Sequence, residues 1–388
     1  MLSRTLPGRT ISSLVLLLGL SLGGCRAQQP WPLWEAYVQH FVDGQGRVID
    51  KSAHDRTTSE GQAYAMFFAL VDNDRSRFDS LLHWTQENLA AGDLTVHLPA
   101  WDWGRTETGE WKPRDENSAS DADLWLAYSL MEAGRLWHEP RYEKLGRIVA
   151  AHIAKQDVVR IPGFGATVLP GPHGFHNDPG VWILNPSYLP LPILVYLHQA
   201  IPEGPWGDVL TALPKLVDTK IARGYVMDWI SVDKDGMHAA APPAEPSSGS
   251  RQHTPAGSFD AIRFYLWLGL ADPGTPGLKQ LISQITGMPV AMESAATPPL
   301  EVDGEGKIVF ADAPVGFSAA ISPFLSAVGM KSQAKSQDDR LAAMKDSASG
   351  LYGHADEYYD QNLVLFSTGF TEQRYRFERD GKLRVKWK

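Results

Sequence analysis

The spacing of apolar residues constrains this chain most. From Trp31 onward hydrophobic residues recur at three- and four-residue intervals, in segments broken by Gly, Pro and polar clusters, while the strict alternation of a half-buried strand is scarce. Twelve segments read as helices, near 32–42, 59–73, 75–90, 119–137, 140–156, 187–200, 204–221, 258–271, 275–287, 315–328, 334–346 and 356–369. Taken in pairs they make six hairpins, and hairpins with one buried face each can bury it by closing into a ring. The expected fold is therefore all-α. The intervening stretches 91–118, 157–186, 222–257 and 288–314 are long and rich in Gly, Pro, Trp and His. Long loops on a compact scaffold usually carry function.

The N-terminus reads differently. Arg4 and Arg9 precede an apolar run from about Ile11 to Leu22, followed by Gly23, Gly24 and Cys25. This is the pattern of a secretory signal, and the run is too short for the roughly 20 residues of a membrane span. The expected organisation is a signal peptide over 1–25 and a single catalytic domain over 26–388, with a periplasmic or secreted location. Cys25 looks like the lipid-attachment position of a bacterial lipoprotein, which would place the protein on the outer membrane; the alternative is an ordinary signal peptide cleaved just beyond it, for instance after Ala27. Cys25 is the only cysteine, so the mature domain has no internal disulfide. A net charge of −9 without any long basic run argues against a nucleic-acid partner.

In a ring of antiparallel hairpins every second helix starts at the same end. Those starts share a chemical character: Thr57, Thr58, Ser59, Glu60; Ser118, Ala119, Ser120, Asp121, Ala122, Asp123; Asn185, Pro186, Ser187, Tyr188; Ser258, Phe259, Asp260; and Asp356, Glu357, Tyr358, Tyr359. Any one of them, taken alone, reads as a polar cap complementing free amides and the helix dipole. Together they would gather Glu60, Asp121, Asp123, Tyr188 and Asp260 around one mouth. A carboxyl pair, one protonated and one ionised, is what glycoside hydrolysis requires. Glu60 lies beside the apolar run Ala65, Met66, Phe67, Phe68, so burial and a neighbouring Asp121 would favour its proton. Arg263 follows Asp260 at a same-face helical spacing and would keep that carboxylate charged. Trp101, Trp103 and Trp111 stand in a polar loop, where stacking on sugar rings is a better use than core filling.

Other chemistries fail on inspection: the chain has no Walker loop, dinucleotide glycine fingerprint, zincin helix or Gly-x-Ser-x-Gly elbow. His173 and His176 lack a matched ligand set and read as rim residues, and Asp233-Lys234-Asp235-Gly236 reads as a plain turn rather than a calcium loop. No metal and no cofactor are expected.

The runs Thr57–Met66 (TTSEGQAYAM), Ser118–Ala133 (SASDADLWLAYSLMEA), Asn185–Pro190 (NPSYLP) and Ser258–Trp267 (SFDAIRFYLW) resemble segments of glycoside hydrolase family 8, and within it the periplasmic endoglucanases encoded with bacterial cellulose synthases. The resemblance extends from about Trp31 to Phe377. It implies an (α/α)6 barrel, inversion at the anomeric carbon, a β-1,4-glucan chain as substrate and association with a cellulose synthesis and export complex. It also implies that Glu60 is the proton donor, Asp260 the base that activates water, and Asp121 the acid that grips the sugar at the cleavage point. Tyr188 would help place the water, Arg263 would orient acids or substrate, and Trp101 and Trp103 would bind sugar. Ala122 stands where relatives commonly have Gly, and the stretch 241–257 is longer than in some of them. Two other readings stay open: the same fold acting on mixed-linkage glucan, xylan or chitosan, and a non-catalytic glucan-binding component whose acids only cap helices.

Overall fold

A computed structural model describes residues 1–2, 30–176, 179–243 and 254–388, so the signal-peptide and Cys25 expectations lie outside the described residues. The described elements include thirteen α-helices: α1 Pro32–Phe41, α2 Ser59–Val71, α3 Arg75–Leu89, α4 Ser120–Trp137, α5 Pro140–Gln156, α6 Leu191–Ala200, α7 Trp206–Ala212, α8 Ala261–Leu270, α9 Leu278–Gln284, α10 Gly287–Met292, α11 Val315–Ala327, α12 Lys331–Ala343 and α13 Tyr358–Thr371. Each of the twelve expected segments overlaps one of these helices, ten containing theirs whole, while α12 starts three residues before its expected segment 334–346 and α13 runs two residues beyond 356–369. The thirteenth, α10, lies at the head of the stretch 288–314 that the sequence reads as loop.

The helices sort into two shells. α2 packs on α4, α4 on α6, α6 on α8, α8 on α11, α11 on α13 and α13 back on α2, which closes an inner ring. These helices are apolar nearly all round because neighbours flank them on every side; α8, for instance, is buried along its whole length. The outer helices are amphipathic. α3 buries only Phe78, Leu81, Trp84, Thr85 and Leu89, and α5 buries Tyr142, Gly146, Val149, Ala150 and Ile153. Gly146 is glycine because α5 lies so close to α4 that a Cβ there would stand 2.7 Å from the Ala127 carbonyl oxygen. The architecture is an (α/α)6 barrel, as the paired helices lead one to expect.

The ring has a solid centre. Phe67 of α2, Trp125 of α4, Trp267 of α8 and Phe366 of α13 interlock, with ring centroids 4.9 Å apart for Phe67–Trp125 and Trp125–Phe366 and 5.2 Å for Trp267–Phe366. These edge-on and tilted contacts suit aromatic quadrupoles and make a rigid floor beneath the mouth.

The loops are more ordered than their composition implies, because they hold short strands. β1 (Thr57–Thr58) pairs with β2 (Ala100–Arg105), and β2 with β3 (Trp111–Ser118). β4 (Val158–Ile161) and β5 (Gly165–Val168) form a hairpin, and β6 (Trp182–Leu184), β7 (Trp229–Asp233) and β8 (Gly236–Ala240) form a three-stranded sheet, all antiparallel. β9 (Ala256–Gly257), β10 (Glu301–Asp303) and β11 (Ile308–Phe310) form another, and β12 (Tyr375–Phe377) pairs with β13 (Leu383–Val385). Such strands are too short for alternation to be visible in the sequence. Four of them, β1, β3, β6 and β9, end two to four residues before Glu60, Asp121, Tyr188 and Asp260 respectively. Paired backbone therefore holds each residue at the mouth.

Candidate active site

Glu60 sits in the first turn of α2, but it does not cap the helix. That task falls to Thr58, whose hydroxyl accepts the Gly61 amide at 3.2 Å. Gly61 has no room for a side chain, because the Tyr358 hydroxyl of α13 fills the space a Cβ would take. The same hydroxyl lies 3.3 Å from that of Thr58. Glu60 is thus fixed between strand β1 and helix α13. Burial pushes its carboxyl above the usual carboxylate range; Arg263, its backbone environment and Arg56 pull it back, and Asp260 pushes it up again.

Arg263 of α8 is the hub. It is buried, with its side chain only 5 % exposed. Its Nη1 donates to Asp121 Oδ2 at 2.8 Å and to the Tyr64 hydroxyl at 3.1 Å, while its Nη2 donates to Asp260 Oδ1 at 2.6 Å and to Ser187 Oγ at 3.2 Å. Its guanidinium carbon lies 5.4 Å from the centre of the Tyr188 ring. One planar fork therefore joins residues from α2, α4, the 3₁₀ turn Pro186–Tyr188 and α8. Ser187 is held in turn by Asn185, to whose Oδ1 its hydroxyl donates at 2.7 Å, and Trp267 Nε1 donates to the Ser187 carbonyl at 2.9 Å.

Asp121 is buried at the start of α4, with the Ala122 amide donating to its Oδ1 at 2.8 Å. Burial pushes its carboxyl up to about 7, against the pull of Arg263, and nearby Glu60 adds to the rise. Glu60, Asp121, Tyr188, Arg263 and Asp260 are brought to one mouth. Asp123 is not among the partners of Arg263. Two positions along a helix point in nearly opposite directions, and Asp123 is a buried residue whose carboxyl is pushed up by burial and then by Asp157. This corrects the expectation that Asp123 joins Glu60, Asp121 and Asp260 at the mouth.

The tryptophans also divide. Trp103 is only 9 % exposed and forms a small satellite core with Trp84 and Leu89, stacked on Trp111 at 5.3 Å and beside the Arg47 guanidinium at 4.5 Å. The expectation that Trp103 offers its face to a sugar is corrected: sheet pairing folds β2 onto α3, and the ring becomes packing. Trp101 is half-buried and stands one residue beyond the Thr58–Asp102 pair, next to the strand end that leads to Glu60. Among the described residues no aromatic ring stacks on it. His173 and His176 are both exposed, as rim residues should be. The Asp233–Gly236 stretch is the tight turn between β7 and β8, with Asp233 Oδ1 accepting the Asp235 amide at 2.8 Å.

Several residues at this end escaped the sequence reading. Trp229 of β7 lies 6.1 Å from Tyr188 and stacks at 5.9 Å on Phe175, and Trp182 of β6 stacks at 4.5 Å on His176, so aromatic rings continue outward from Arg263. Tyr359, read from the sequence only as part of a polar helix start, donates its hydroxyl to the Phe259 carbonyl next to Asp260. Asp228, at the foot of β7, accepts the amides of Ser258 at 2.8 Å and Ala261 at 2.7 Å on one oxygen, Oδ1. Only the Trp content of these loops could have hinted at the aromatic row, and nothing in the sequence marks Asp228.

A helical double ring whose mouth carries acids in three different environments, with aromatic rings leading away, defines a carbohydrate-cleaving (α/α)6-barrel enzyme. The family model for glycosyl hydrolases family 8 matches residues 8–373. An endoglucanase of Xanthomonas axonopodis pv. citri is 40 % identical over 99 % of this chain and 97 % of its own, and one of Escherichia coli O157:H7 is 38 % identical over 97 % and 96 %. The crystal structure of an endo-1,4-D-glucanase from Vibrio fischeri ES114 superposes with a TM-score of 0.81 at 36 % identity, covering 92 % of this chain and 99 % of that one. The chain belongs to glycoside hydrolase family 8.

Proposed function

We propose that this protein is an endo-acting β-1,4-glucanase that hydrolyses internal bonds of a cellulose-like chain with inversion, and that it is exported and works alongside bacterial cellulose synthesis and export. The observation that carries the catalytic part is the Arg263 fork, which ties Asp121 to Asp260 at the mouth where burial raises the Glu60 carboxyl above its ordinary range. The names of the relatives support the substrate, and the resemblance of the four sequence runs to endoglucanases encoded with cellulose synthases supports the setting.

In this reading Glu60 gives its proton to the departing glycosidic oxygen. Asp260 has Oδ1 on Arg263, which leaves Oδ2 to take a proton from the attacking water. Water then bonds to the anomeric carbon from the face opposite the leaving group. Asp121, locked between Arg263 and the Ala122 amide, holds the sugar at the cleavage point rather than attacking it. Tyr188, against the guanidinium, bounds the space for the water, and Trp101 offers its ring to a sugar.

Product analysis from carboxymethyl-cellulose tests the proposal: a rapid fall in viscosity with few new reducing ends is expected, and release of sugar only from chain ends would refute endo action. Glu60→Gln and Asp260→Asn should each remove most activity while the fold persists; near wild-type turnover by either refutes the pairing. NMR of the first-formed reducing end should show the α-anomer, whereas initial β-anomer would mean a covalent intermediate and make Asp121 the nucleophile. Cell fractionation, with and without Cys25→Ala, tests the location: a periplasmic or outer-membrane pool is expected, and a cytoplasmic one refutes export.

A further inference from the structure

Helix α8 begins without help from its own first residue. Asp260 stands at the N-cap with helical backbone angles and makes no cap hydrogen bond, because its carboxylate is turned to Arg263. The free amides that result would ordinarily have to find water or a side chain. They find Asp228. A single oxygen of that residue accepts the amides of Ser258 and Ala261, one on either side of Asp260 in the chain, and the Asp228 amide donates to the Ala256 carbonyl at 2.8 Å. Three hydrogen bonds thus clamp the turn 256–261 to the foot of β7, whose first residue is Trp229.

We propose that Asp228 is a positioning residue for the hydrolytic step: by capping α8 in place of Asp260 it frees the Asp260 carboxylate for Arg263 and water, and it fixes the direction in which that carboxylate points. The inference rests on the proposed role of Asp260 as base. An acid that capped its own helix would fold its carboxylate back over the first turn and away from the mouth. Two acceptor bonds from a partner 30 and 33 residues earlier in the chain remove that competition. The clamp also connects the base to the aromatic row, since Asp228 and Trp229 are consecutive and the Trp229 ring stands 6.1 Å from Tyr188.

The test separates the base from the acid. Asp228→Ala should lower kcat on soluble β-1,4-glucan about a hundredfold, the scale of an ångström-sized misplacement of a catalytic group, with KM within about twofold of wild type. Asp228→Asn keeps an oxygen acceptor in place and should restore kcat to within about fivefold of wild type. With β-cellobiosyl fluoride the leaving group departs as fluoride and needs little protonation, while water still bonds to the anomeric carbon and gives its proton to Asp260. Glu60→Gln should therefore recover on the fluoride, and Asp228→Ala should not. Should the alanine protein fail to fold, Asp228→Ser, whose shorter side chain reaches one amide but not both, should show an intermediate loss of kcat.

Near wild-type kcat in Asp228→Ala or Asp228→Ser overturns the proposal. So does an Asp228→Asn protein as impaired as the alanine variant, or recovery of Asp228→Ala on the fluoride. Failure of the underlying reading looks different, because Asp260→Asn would then retain full activity or the wild-type protein would leave β-1,4-glucan uncut.

Discussion

Asp121→Asn should cost the enzyme its activity and gain stability relative to wild type as pH rises, by an amount that can be calculated. Asp121 is buried with its carboxyl raised from an ordinary 3.8 to about 7, chiefly by burial and despite Arg263. A raised carboxyl has a definite sign in linkage. Between the two values the folded protein holds a proton that the unfolded chain has released, so stability falls as pH rises through that window. The stability is fully present below about pH 3.8, and the penalty is complete above about pH 7. A shift of about three units at 1.36 kcal/mol each makes the penalty about 4 kcal/mol.

Asparagine has the same shape and no charge, so it carries no such penalty at any pH. The change with pH of the stability difference between variant and wild type removes any fixed effect of the amide and every titrating group that does not interact with Asp121; neighbours that do, such as Glu60, contribute to what is left. Urea denaturation of both proteins at half-unit steps from pH 4 to pH 8 should show this difference moving by about 4 kcal/mol in favour of Asp121→Asn. A difference constant to within about 1 kcal/mol would refute the claim that burial, rather than pairing with Arg263, governs this carboxyl. A difference moving the other way would mean that Arg263 wins and that Asp121 is ionised at the cost of no stability.

Three further outcomes are expected. Arg263→Lys replaces a planar fork by a single ammonium that cannot hold Asp121 and Asp260 at once, so kcat/KM should fall at least about a hundredfold and the urea midpoint should drop with it; activity within about fivefold would show the fork to be dispensable. Gly61→Ala drives a methyl into the Tyr358 hydroxyl beside Glu60 and should destabilise the fold by about 1–3 kcal/mol with a loss of kcat, checked by thermal melting and initial rates. Trp103→Ala, which empties the satellite core, should cost about 3–5 kcal/mol and leave KM for long glucans nearly unchanged, whereas Trp101→Ala, at a ring only half-buried against the main core, should lower the melting temperature less and raise KM; the reverse pattern would sink the division between these two rings.

Helices, being local, were legible. α3 and α5 bury residues three and four apart, and such a stripe is visible in any window of a dozen residues. The shared polar starts of α2, α4 and α8 were legible for the same reason, and one topological step placed them on a common rim. Strands of two to eight residues were not: most are too short to show alternation, and some pairings, such as Thr57–Thr58 with Asp102–Trp103, join segments that lie far apart in the chain. Trp103 shows what this costs: its polar neighbours Asp102 and Arg105 argue for exposure, yet β2 lays the ring against Trp84 of α3.

The sequence alone determined the helical ring, the end at which chemistry can occur, and the residues Glu60, Asp121, Tyr188 and Asp260 that stand there, since helix period and cap chemistry act over a few residues. What each of them does there was decided by tertiary structure. Arg263 reaches its helical neighbour Asp260 three residues away, but also Asp121 at a separation of 142 residues and Tyr64 at 199, and Asp228 caps a helix it does not belong to. Burial and hydrogen-bond partners decide whether a carboxyl is a cap, a clamp, an acid or a base. Both are properties of the packed fold, and no stretch of sequence a few residues long can contain them.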